Sequence, residues 1–97
     1  MSPELTLETF SGAVGESFEV GDGRAATIEL LLVEARPQEV APQAPRPGFS
    51  LLFQGPAEPL LAQATYRFEH RALGVLEIFI VPLGRDEHSA VYEAVFA

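Results

Sequence analysis

The side chains that could do chemistry are few: two histidines, His70 and His88, and five serines, Ser2, Ser11, Ser17, Ser50 and Ser89. Nucleophilic hydrolysis needs a hydroxyl, a base and an orienting acid that converge in space. Ser50, His70 and Glu69 are the one set whose types could supply this. Strand alternation turns Ser50 outward and His70 inward, so hydroxyl and imidazole should not meet. No serine lies in the strained, glycine-flanked elbow that exposes a hydrolase nucleophile. Metal binding needs clustered ligands, yet His70 and His88 are eighteen residues apart. Asp86, Glu87 and His88 read as a solvated turn. Asp22, between two glycines, lacks the alternating oxygens of a calcium loop. The chain has no cysteine, hence no disulfide and no thiolate site. Gly21-Asp22-Gly23 lacks the lysine and helix of a phosphate-binding loop. The expectation is a non-enzymatic protein with no catalytic, cofactor-binding or metal-binding residue.

His70 shares a strand face with Tyr66 and Phe68, which predicts a buried ring whose nitrogens bond loop backbone and position the turn at 71–74. Glu69 and Glu77 could face each other across that hairpin, with Arg67 and Arg71 balancing their charge.

The elements that hold these residues are mostly strands. Leu7, Phe10 and Val14 have helical spacing, and Thr6 with Thr9 offers capping oxygens, so a short helix or turn is expected near residues 6–13. Strands are expected at 17–20, 26–35, 49–54, 64–70, 75–81 and 90–96, each with alternating or dense apolar residues. Gly21-Asp22-Gly23 marks a hairpin turn, because Asp-Gly tolerates positive φ. In the second strand Ile28, Leu30 and Leu32 share one face, while Leu31 and Val33 join Thr27 and Glu29 on the other. That half-switch predicts a bulge or burial on both faces. Pro82 is expected to end its strand by withholding a donor. Phe53, Tyr66, Phe68, Ile78 and Phe96 are expected in the core, with Phe79 among the inward aromatics. Six strands with short links predict a mainly β fold: one six-stranded antiparallel meander forming a small barrel or sandwich. The domain is expected to span 1–97, with an exposed, proline-rich, irregular loop at 37–47.

Composition narrows the partners. Fourteen acidic residues face six arginines and no lysine, for a net charge of −8. Nucleic acid and anionic membrane surfaces both require a positive field that this chain lacks. The start carries neither a basic region nor an apolar run, so no signal peptide is expected.

A resemblance runs along most of the chain. It is carried by LTLETF at 5–10 and GESF at 15–18, then FSLLFQGP at 49–56, YRFEH at 66–70, Leu73-Gly74, FIVPLG at 79–84 and YEAVF at 92–96. In this order they resemble a family of small bacterial proteins known as a domain of unknown function. Members are often encoded beside proteins with a phage-tail-collar domain. The chain departs from the family's pattern at Ala64, commonly glycine there, and at Ala97, commonly asparagine. The resemblance implies a structural or interaction module associated with tail-collar or fibre proteins, in the cytoplasm or assembled into an extracellular or virion-like particle. A small-ligand-binding barrel is the alternative. Leu31, Val33, Leu52, Val91 and Val95 fall on faces opposite the inferred core, which marks them as candidate interaction residues for a tail-collar-type protein or for self-association.

Overall fold

The computed structural model describes residues 6–21, 27–38 and 48–96. A short helix, α1 (Leu7–Ser11), precedes six strands: β1 (Ser17–Gly21), β2 (Thr27–Gln38), β3 (Gly48–Pro56), β4 (Ala64–His70), β5 (Gly74–Arg85) and β6 (Ser89–Phe96). All neighbours are antiparallel, and the strands close into a barrel in the order β1-β2-β3-β6-β5-β4. The barrel form is therefore the one adopted. The strands form two three-stranded meanders rather than one, joined through β3–β6 and β1–β4 pairing. Closure leaves β1 and β6 no free long edge, which six short strands in an open sheet would expose.

Alternation sorts the side chains. Phe18 and Val20, Ile28, Leu30 and Leu32, Phe49, Leu51 and Phe53, Phe68, Leu76, Ile78 and Ile80, and Tyr92 and Ala94 all point inward and are buried. A six-stranded barrel is narrow, so these side chains fill it. Both ends are plugged from outside the sheet. At one end Phe10 of α1 lies 5.9 Å from Phe49 and 5.6 Å from Phe96, ring centre to ring centre. Thr6 starts that helix as expected, its hydroxyl accepting from the backbone N–H of Thr9 at 3.2 Å. At the other end Leu61, from the β3–β4 connection, is buried and donates its N–H to the Tyr92 hydroxyl at 2.9 Å.

The predicted half-switch in β2 is a bulge: the register with β3 shifts between Leu32 and Glu34. Several expectations fail in instructive ways. β2 runs on through Pro37 and Gln38, so the irregular segment does not begin at Pro37; residues 39–47 lie outside the described residues, as does Gly21-Asp22-Gly23 beyond Gly21. Pro37 pairs with Phe49, and among the described residues β2 has no second strand alongside it there, the edge setting in which a strand accommodates proline. Pro82 does not end β5. It pairs with Tyr92, the register shifts between Pro82 and Gly84, and the strand continues to Arg85. The bulge absorbs the proline. Phe79 is 49% exposed rather than inward, because Leu76, Ile78 and Ile80 already occupy the inner side of β5. Tyr66 and Phe96 are only partly buried: the Tyr66 hydroxyl reaches outward to the Ala62 carbonyl at 2.8 Å, and Phe96 stacks on Phe49 at the barrel end.

Gly55 is closely packed in β3. A Cβ built there collides with the end of the Leu30 side chain, which is fully buried and has little room to yield. Gly55→Ala is expected to cost about 1–3 kcal/mol by overpacking, measured by urea denaturation.

Candidate functional site

The residues nominated for hydrolysis do not come together. In the barrel order β3 and β4 are three strands apart and so face each other across the barrel. Ser50 projects from the outer side of β3, while His70 points inward at the end of β4. Ser50, on that outer side as its alternation predicts, is nonetheless buried. It sits in register between Arg36 and Val95. Among the described residues no group of three metal-ligating side chains occurs.

His70 is held by three hydrogen bonds. Its Nδ1 accepts from the backbone N–H groups of Ala72 and Leu73, each at 3.1 Å, which ties down the turn as the sequence suggested. Its Nε2 lies 2.6 Å from Oε1 of Glu16, in the link between α1 and β1. Phe18 lies over the ring, with centroids 4.6 Å apart. Glu16 was not visible as a partner, because nothing local relates residues 54 positions apart.

The β5–β6 hairpin is organised by Asp86. Its carboxylate accepts from the backbone N–H groups of His88 at 2.7 Å and Ser89 at 2.8 Å. These bonds hold its pKa below the usual carboxylate value. The turn is thus stabilised while Asp86 is ionised, and that contribution is lost as pH falls through the lowered pKa. With both of these bonds coming from backbone N–H groups two and three residues ahead in the same turn, Asp86 is a turn former. Open depressions flank the hairpin, one bordered by Gln54, Gly55 and Ser89, another by Glu58, Arg85 and Glu87. Both lie outside the filled barrel.

Glu69 and Glu77 do not face each other. Glu77 is opposite Arg67, and Glu69 is opposite Val75 on one side and Glu19 on the other. Glu19 is itself opposite Glu29, so three exposed carboxylates stand in one row across β2, β1 and β4. Arg67, 3.2 Å from Glu69, relieves one end. Like charges directly opposite destabilise a sheet. Glu19→Lys is expected to stabilise the fold by up to about 1 kcal/mol, and high salt should shrink the difference. Paired denaturation curves at low and high salt check this.

The five apolar candidates all lie outside the barrel wall. Leu31 and Val33 belong to β2, Leu52 to β3, and Val91 and Val95 to β6, three strands adjacent in the sheet. Val33 and Val95 are exposed, and Leu31, Leu52 and Val91 are half-buried. Leu52 stands between Glu34 and Glu93, and Leu31 and Val91 flank Gln54. Phe79 and Val81 extend this surface onto β5, where Val81 pairs with Glu93. The surface is mixed: in the row Glu34–Leu52–Glu93–Val81 apolar groups alternate with carboxylates.

Among the described residues no helix is long and apolar enough to cross a membrane. No curated protein and no solved structure is significantly similar to the chain. One family does match, described as Domain of unknown function (DUF6916), over residues 5–96. That match takes in α1, all six strands and the side chains of the His70 and Asp86 clusters and of the outer apolar face, and the chain belongs to this family.

Proposed function

We infer that the domain is a non-enzymatic interaction module that docks another protein through the outer face of β2, β3 and β6, as part of a phage-tail-like or tail-collar assembly. One observation carries the reading: apolar side chains of three adjacent strands, continued by Phe79, remain at the surface of a barrel whose interior is already full. A freely solvated sheet face has no use for Val33, Val95 and Phe79 together. The carboxylates among them favour a partner chosen for fit over indiscriminate edge pairing. The tail-collar context rests on the family resemblance of the sequence. A partner of this kind needs no reaction from the domain, in keeping with histidines that serve turn and packing.

The test is capture of a tail-collar-domain protein encoded in the neighbourhood, from lysate and with purified components. Val95→Glu places a charge on that face, in the row of Ser50 and Arg36, and should abolish capture. Its stability should change by less than about 0.5 kcal/mol, because the site is exposed. No capture by the unaltered domain in either setting contradicts the proposal. Light scattering on the domain alone reads whether the same face pairs with a second copy.

A further inference from the structure

We propose that His70 is a proton-released clasp: a proton taken up at Nδ1 frees the turn at 71–73 while Nε2 keeps its hold on Glu16. The hydrogen-bond pattern assigns the proton. Two backbone N–H groups point at Nδ1, which must therefore offer its lone pair, so the single ring proton of the neutral imidazole lies on Nε2 and is donated to Glu16. Acid adds its proton to that same Nδ1 lone pair. The N–H groups of Ala72 and Leu73 then meet a third N–H and lose their acceptor. The Nε2 bond changes in the opposite sense, becoming an imidazolium–carboxylate contact that is stronger than before. Turn and clasp thus respond oppositely to one proton.

The surroundings leave Glu16 as the charged group touching the ring. Phe18 of β1 covers one ring face, and Gly74 of β5 pairs with His70 without a side chain. On the ring's own strand Glu69 points outward, next to Arg67, and in β1 Glu19 also points outward. Arg71, in the turn itself, is exposed. The imidazole is buried to 98% of its side-chain surface, whereas half of Glu16 reaches solvent, so the pair connects a sealed ring to the outside. The structural consequence is local. The tip of the β4–β5 hairpin loosens, while the α1–β1 link, fixed also by Gly15 N–H to Leu32 carbonyl at 2.8 Å and Leu32 N–H to Glu16 carbonyl at 3.0 Å, stays in place.

Ring-nitrogen NMR on the intact chain, combined with amide exchange across a pH series, tests this. Near neutrality the spectrum should show a protonated Nε2 and a bare Nδ1. As His70 takes up its proton, protection factors at Ala72 and Leu73 should fall roughly five- to tenfold, after correction for intrinsic exchange. His70→Gln, which cannot titrate, should abolish the pH step at both amides. A proton on Nδ1 at neutral pH overturns the proposal. So does protection at Ala72 and Leu73 that is unchanged through the His70 titration, or a ring that stays neutral until the whole domain unfolds.

Discussion

Phe68→Ala is expected to destabilise the domain by about 3–5 kcal/mol, the range for truncating a fully buried aromatic. Phe68 has no exposed surface and packs edge-on against Phe53 at 5.1 Å and Phe18 at 6.1 Å, so three strands meet on one ring. Its cross-strand neighbours, Val20 and Leu76, are buried too and cannot collapse into the gap without distorting two ladders. Small domains are stabilised by roughly 5–15 kcal/mol in total, so the loss removes about a third or more of the stability of a domain near ~10 kcal/mol and unfolds one at the low end of that range. Chemical denaturation monitored by circular dichroism measures the loss. A midpoint equal to that of the unaltered protein would show that the aromatic cluster is not the centre of the core.

His70→Ala is expected to cost about 2–4 kcal/mol. The substitution leaves the N–H groups of Ala72 and Leu73 without their acceptor and Glu16 without its donor, and empties the space under Phe18. His70→Gln should recover part of the loss, because an amide oxygen can accept where Nδ1 did. The comparison separates hydrogen bonding from volume: equal losses in the two variants would assign the whole effect to packing. Equilibrium denaturation at neutral pH reads both.

The barrel wall was legible in the sequence because alternation is a local property. Phe49, Leu51 and Phe53, or Leu76, Ile78 and Ile80, declare their face within five residues, and the β2 bulge shows as a change of phase at Leu31 and Val33. Phe79 was misassigned despite that signal: its parity along β5 already placed it outside, and aromatic character alone argued otherwise. The prolines misled for a different reason. Pro37 and Pro82 exclude a ladder donor at one point, but whether a strand needs that donor depends on which neighbour lies alongside and whether a bulge intervenes. Long-range partners were the least legible. Nothing local reveals that Glu16 meets His70, that Leu61 meets Tyr92, or that Glu19 stands between Glu29 and Glu69. The Glu19–Glu69 pairing is fixed by the β1–β4 junction that closes the barrel. The candidate surface was legible residue by residue, as apolar groups on the wrong face; its assembly on adjacent strands required the β3–β6 pairing.

The outer face of β2, β3 and β6 is the proposed place where this domain meets a protein partner. Amide chemical-shift mapping of the labelled domain, titrated with a purified tail-collar-domain protein, addresses it most directly. Shifts and line broadening should concentrate at Leu31, Val33, Leu52, Val91 and Val95 and extend to Phe79, leaving the Glu19–Glu29–Glu69 row and the Asp86 turn unmoved. Saturating binding that perturbs the acidic row or the β5–β6 hairpin and spares those five residues, or a titration with no perturbation at all, contradicts the account.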